Sequence, residues 1–429
     1  MSGWTLTLRQ DCPLRLDLRE LTPAALTGRS AAEVERWHLW HGNESLALGE
    51  VFAVSPHDGE ELVFEGDLSR ADRIGWQLAA GVIRVEGPAG DYLGAGMSGM
   101  AGRSARVVRG DFVRGNADAG LELFVDMLIH PDFPEEELAL VRHDMLAALD
   151  EQDDVPELIA AERLWARLYP SHPYGAPAGG TRGTLGRMGV PALRELHARW
   201  LRADNLVVTV AGGFDPDLML RKIRRWLGRL PGGWKAPAVV SPPPPPETVR
   251  VRVGSDREQA HVMVAWPGAR VAGPEQPVVE LAAGVLGGQG GRLFLQLREE
   301  HGLAYSVGAH GEDGWDSGLF VGGIATDPER IDEAQARLIA TVQALAEAEV
   351  PAEELERARA SQLGGIEAEL QATSSRAALA ALTELYGSDG TAYRALARAR
   401  VEEVTAAQIR SWAAGALVRP LAIARVEPR

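Results

Sequence analysis

The sequence predicts an α+β protein: two related halves joined by a proline spacer, preceded by a short α/β segment and a partial β-solenoid. Three observations carry this. A helix-then-strand ending occurs twice, as PALRELHARWL followed by NLVVTVAG (205–212) and as VTAAQIRSWAAGAL followed by LAIARVEP. Between them lies PGGWKAPAVVSPPPPPE (231–247), whose consecutive prolines make a stiff, extended linker. Near the N-terminus, IGWQLAAG (74–81) recurs as LGAGMSGM (93–100), with a brief strand around Ile83 and Val85 and glycines at the corners. Only glycine fits such tight turns, so the repeat reads as coils of a solenoid. The expected boundaries are 1–68 for the α/β segment, 69–101 for the partial solenoid, 102–230 for the first half, 231–247 for the linker and 248–429 for the second half.

Each element follows from local pattern. TLTLRQ and ALGEVFAV alternate as strands do, and AAEVERWHLW reads as a helix. From about Gly102 the pattern turns helical: GLELFVDML is amphipathic. In HPDFPEEELALVRHDMLAALDEQ, Pro134 opens a helix whose first turn holds three glutamates near its positive end. ELIAAERLWARLY is helical and runs into the loop SHPYGAPAGGT, where His172 reads as turn structure. NLVVTVAG reads as a buried strand by its β-branched run, and DPDLMLRKIRRWLGRL as a helix capped by Asp215. Beyond the linker, TVRVRV, HVMVAWPG, AYSVGAHG and GLFVGGIAT read as strands, and QPVVELAAGVLGG and the stretch 330–387 as helices.

Composition bounds the function. The net charge of −16 argues against nucleic-acid and anionic-membrane partners, which would repel the chain. Cys12 is the sole cysteine, so no intrachain disulfide can form. The N-terminal stretch interleaves charges with apolar residues and no later run is long enough to span a bilayer, so a cytoplasmic location is expected.

The chemistry points to RLFLQLREEHGLAYSV (292–307). There Gly302 breaks a helix and a strand follows, placing Arg298 and Tyr305 where both side chains could face one site. A guanidinium and a phenol both donate hydrogen bonds, so together they suit a carbonyl oxygen. Gly287, Gly288, Gly290 and Gly291 surround Gln289 just upstream. No Lys-Ser/Thr follows them and they leave a helix, which excludes a phosphate loop. By themselves they read as a flexible connector. His38, His41 and Glu44 in HLWHGNE invite a metal reading, but further ligands are lacking and packing is the simpler account.

Residues 102–429 resemble the zinc peptidase family of pitrilysin, insulin-degrading enzyme and mitochondrial processing peptidase, in its short bacterial form. The matching stretches are GLELFVDMLIHPDFPEEEL, HPYGAPAGGT, RADNLVVTVAGGFDP and GGQGGRLFLQLREEHGLAYSV. The resemblance implies two α+β sandwich domains, the first truncated, and a substrate-binding role for Arg298, Tyr305 and the four glycines. Active members carry HxxEH, two imidazoles on one helix face gripping zinc beside a glutamate that activates water. This sequence has no HxxEH, and VRHDMLAAL places Ala148 where the family's third ligand stands, with His143 nearby. No catalytic residue, metal ligand or cofactor is therefore expected in this chain.

Residues 1 to about 100 resemble a glycine-rich scaffold component of formylmethanofuran dehydrogenase, the one termed C, and its counterpart in the formyltransferase/hydrolase complex of one-carbon metabolism. The residues are TLTLRQDCPLRLDL, LWHGNESLALGEVF, LVFEGDLSRADRIG and GVIRVEGPAGDYLGAGMSG. That resemblance implies the start of a right-handed β-solenoid. Two functions are thus expected: a non-catalytic peptidase-family subunit that binds extended peptide beside a partner subunit with HxxEH and the zinc, or a scaffold subunit of a one-carbon complex.

Overall fold

A computed structural model describes residues 2–9, 16–41, 44–59, 61–68, 71–72, 74, 83–86, 95–102, 105–112, 117–236, 240–241 and 243–429. They fall into two units, residues 1–100 with 106–132, and residues 101–105 with 133–429.

The first unit runs β1 Ser2–Leu8, β2 Leu16–Asp17, α1 Pro23–Leu26, α2 Ala31–Glu35, β3 His38–His41, β4 Glu44–Ala47, α3 Leu48–Val51, β5 Phe52–Asp58, β6 Leu62–Glu65, β7 Ala71–Asp72, β8 Ile83–Glu86, β9 Ala95–Ala101, β10 Arg106–Phe112 and α4 Ala117–Ile129. One sheet has the order β5-β1-β6-β8 and another β4-β3-β2-β7. Leu6 of β1 and Leu62 and Phe64 of β6 are buried with Phe52, Leu16 and Leu39. Phe52 meets Phe64 edge to face at 5.9 Å between ring centroids.

Two expectations for this unit are corrected. The helix expected over AAEVERWHLW ends at Glu35, and HLWH forms β3, paired antiparallel with β4. Ser30 and Glu33 close a capping box on that short helix, after which Trp37, His38, Leu39 and Trp40 follow the period of two. The expected β-solenoid does not form among the described residues. β8 does add in parallel to β6, Leu62 opposite Ile83. The next strand, β9, leaves that ladder to pair with β10, so the stacking stops. A solenoid needs each coil to return to the same ladder. Cys12 and the glycine-rich corners at 75–82 and 87–94 lie outside the described residues.

The second unit holds α5 Glu135–Gln152, α6 Pro156–Leu168, α7 Arg182–Arg187, α8 Val190–Trp200, α9 Pro216–Leu227, β11 Val249–Ser255, β12 Ala260–Pro267, α10 Gln276–Leu286, β13 Ser306–Glu312, β14 Leu319–Thr326, α11 Ile331–Gln343, α12 Ala352–Glu369, α13 Thr373–Leu385, α14 Tyr393–Glu402, α15 Ala406–Ala416 and β15 Ala422–Pro428. Its single sheet has the order β11-β15-β12-β14-β13. Only the β11–β15 pairing is parallel; β15–β12, β12–β14 and β14–β13 are antiparallel.

Helices cover both faces of this sheet, which is why β12 and β14 are apolar almost throughout instead of alternating. On one face Trp266, Phe320 and Ile324 pack with Val279 and Leu286 of α10, Leu338 of α11 and Ile409 of α15. On the other, α6 lays Ala160, Leu164 and Trp165 against Ala265, Val321, Ala422 and Val426. The edge strand β11 turns Arg250 and Arg252 to solvent, charges that protect an edge. The prolines are tied down: Arg419 donates to the Pro245 carbonyl at 2.8 Å, and Thr248 to that of Pro420 at 2.7 Å.

NLVVTVAG is the third correction. It is not a strand and has no ladder among the described residues, and Val208 and Val210 are exposed. The β-branched run has the right propensity, but a strand exists only where neighbours take its amides and carbonyls. Residues 133–230 accordingly hold helices without a strand of their own among the described residues.

Candidate functional site

The corner anticipated between helix and strand is built from its backbone outward. α10 ends at Leu286, and Gly287 to Gly291 turn the chain into a second helix, in which Phe294–Glu300 is wound as a π-helix. Such wide turns recur at functional sites. Leu293 and Leu297 face the core, whereas Arg298 lies at the surface. Gly302 then takes the left-handed conformation (φ +57°), its amide donating to the Arg298 carbonyl at 3.1 Å and that of Leu303 to Leu297 at 2.8 Å. This is the glycine-terminated helix end that lets a strand leave at once.

Tyr305 enters the sheet by donating its amide to Ala325 at 2.9 Å, and β13 begins at Ser306. Arg298 reaches across the corner and donates Nη1 to the Tyr305 carbonyl at 2.8 Å. Its guanidinium also lies 5.2 Å from the Phe294 ring centroid, which holds the flat group in place. The two residues seven apart in sequence are therefore joined, although through the tyrosine backbone. Tyr305 itself is 56% exposed. β13 pairs on one side with β14 and, among the described residues, ends the sheet on the other, so the pair stands at the start of an open edge.

The four glycines divide. Gly291 is buried, and a Cβ there would strike the carbonyl oxygens of Gly287 and Leu286. Gly287 packs close to Ala309 of β13, with 3.4 Å left between a Cβ and the Ala309 carbonyl. Gly288 has φ +73° and open space, and Gly290 faces Arg357 at the surface.

The other candidates do not form a metal centre. His38 and His41 lie on β3, not on a helix, and His38 Nδ1 is 3.1 Å from Ser45 Oγ. His143 and Ala148 are both exposed on α5. Among the described residues no three His, Cys, Asp or Glu side chains converge on a point that could hold a metal ion. The zinc site of the resembling peptidases thus has no matching donor set there. His172 is a buried turn residue that accepts from the Tyr174 amide at 3.1 Å, with Nε2 lying 3.3 Å from Asp316.

Sequence reasoning missed an acidic pair. Gln276 donates to Glu280 at 3.2 Å and to Asp313 at 2.7 Å, bringing two carboxyls from α10 and the β13–β14 loop to one amide. Desolvation, with Asp313 close by, pushes the Glu280 carboxyl above its ordinary range, and desolvation moves Asp313 the same way. Only the tertiary fold joins residues so far apart in sequence. Since these carboxyls bind protons more tightly when folded, they contribute stability that is full below their ordinary values and is lost as pH rises through the raised ones. Glu280→Gln should therefore melt above the parent at about pH 8, with the gain shrinking towards about pH 5, as thermal melts at both would show.

Comparison with known proteins agrees with this architecture. Residues 188–362 match the family model described as the peptidase M16 inactive domain. The chain is 26% identical over 262 residues to an uncharacterized zinc protease of Bacillus subtilis, covering 61% of this chain and 63% of that protein. It thus spans a little under two thirds of that relative's length. Over 89 residues it is 46% identical to a subunit of the formyltransferase/hydrolase complex of Methylorubrum extorquens, 21% of this chain and 34% of that one. The fold resembles the crystal structure of a peptidase M16 inactive domain from Pseudomonas fluorescens, with a TM-score of 0.71, 22% identity, and 78% of this chain and 82% of that one covered. No helix among the described residues is long and apolar enough to cross a membrane. The family match over residues 188–362 marks that stretch as similar to the peptidase M16 inactive domain.

Proposed function

We propose that this chain is a non-catalytic peptidase-family subunit that binds extended peptide through Arg298 and Tyr305, beside a partner subunit with HxxEH and its zinc. One observation supports it above others: the Arg298–Tyr305 hydrogen bond at the start of the open β13 edge. An extended peptide can add to such an edge by backbone pairing, while the remaining guanidinium N–H groups and the phenol donate to a peptide carbonyl. Donors without an activated water give binding and not cleavage. Gly288 and Gly290 lie on the surface and would admit a backbone closely.

The test measures a short-form HxxEH peptidase acting on an unstructured peptide, alone and mixed with this chain. Activity should rise on mixing; equal activity in both overturns the subunit role. Arg298→Ala should weaken peptide binding about tenfold, the loss expected when a charged donor goes, and Tyr305→Phe less. Undiminished binding by both variants, in a fluorescence titration, would refute the role given to the pair.

The 46% identity of the N-terminal stretch to the formyltransferase/hydrolase subunit supports a second reading, a scaffold subunit of such a one-carbon complex. The core of the first unit, with Phe52, Phe64 and Leu16, gives that reading a folded platform. Co-purification with the other formyltransferase/hydrolase subunits would separate the two.

A further inference from the structure

The stretch 206–211 keeps the form of a strand without its company. Leu206 is extended (φ −117°, ψ 127°). Exposure then alternates: Val208 and Val210 are 42% and 39% exposed, while Thr209 turns inward and donates its hydroxyl to the Ala377 carbonyl at 2.7 Å. Period-two burial is that of a strand with one face covered. Yet among the described residues the amides of 207–211 make no backbone hydrogen bond.

The internal repeat shows what such a strand needs. Its counterpart β15, which likewise follows a helix, lies between β11 on one side and β12 on the other. The helix that follows 206–211 in the chain, α9, is short of cover too: its Leu218 and Leu220 are exposed large apolar side chains. Proteins ordinarily protect such an edge with charge, bulges or a covering element.

We propose that 206–211 is a docking strand for an extended segment of another polypeptide, apolar in alternation and acidic at its ends. Backbone pairing supplies the affinity and the exposed Val208 and Val210 the apolar contact. Charge selects the occupant. Residues 187–235 hold ten Lys and Arg against four Asp and Glu, in a chain of net charge −16. Arg221, Arg224, Arg225 and Arg229 are exposed on and just after α9, which follows the strand. Pairing with a second copy would set two such cationic stretches together, whereas acidic flanks are attracted. This inference does not depend on Arg298 or Tyr305.

The probe is a synthetic peptide of alternating valine and threonine with two aspartates at each end, titrated by fluorescence anisotropy against the full chain. Binding should be saturable, fall on the order of tenfold when lysines replace the aspartates, and vanish when alternate amides along one edge are N-methylated. Val210→Pro should also reduce it without lowering the melting temperature, because the Val210 amide has no backbone partner among the described residues. Binding indifferent to both N-methylation and flank charge overturns the proposal. So does concentration-dependent dimerisation abolished by Val210→Pro, which would assign the strand to a second copy.

Discussion

Trp165→Ala should lower the unfolding free energy of the second unit by about 3–5 kcal/mol, the range for emptying a large buried aromatic site. Trp165 is 4% exposed and stacks on Tyr169 at 5.1 Å between centroids, with Tyr174 edge-on at 6.0 Å. Those rings belong to the cluster that seals α6 over Ala265, Val321 and Ala422 on the sheet's outer face. The loss has two parts, transfer of the indole to water and a cavity that rigid strands cannot close. Denaturant melts would show it as a lower midpoint. A change below about 1 kcal/mol would mean that α6 is not held on the sheet by this contact.

Gly291→Ala should cost about 3 kcal/mol, the upper end for overpacking, because the new methyl meets backbone that cannot swing aside. It would strike the carbonyls of Gly287 and Leu286, which set the corner between α10 and the helix bearing Arg298. Gly290→Ala is the control: its nearest neighbour is the flexible Arg357 side chain, 3.4 Å away, and stability should hardly change. Measured together, stability and peptide binding separate two uses of glycine. Gly291 shapes the corner, and a binding defect in Gly290→Ala at full stability would mark a backbone approached by peptide.

The second half was legible because its signals are local and concordant. TVRVRV, HVMVAWPG and LAIARVEP became β11, β12 and β15, and QPVVELAAGVLGG became α10. Asp215 caps α9 by accepting from the Leu218 amide at 2.8 Å, as its place before Pro216 implied. Short elements were less legible. HLWH has helical spacing within a longer window, but the helix capped at Ser30 ends at Glu35 and HLWH pairs with β4 as a strand. The acidic pair on Gln276 was illegible, since Glu280 and Asp313 meet only when β13 folds beside α10.

The sequence by itself determined the glycine-ended helix, the seven-residue spacing of Arg298 and Tyr305, and the absence of HxxEH, all properties of neighbouring residues. Tertiary structure alone decided that α6 covers the outer face of the second half's sheet, that Arg298 grips the Tyr305 carbonyl, and that NLVVTVAG joins no ladder among the described residues. The physical reason is that propensity and period are written in a segment, whereas a strand's hydrogen bonds and a helix's buried face belong to whatever lies against them.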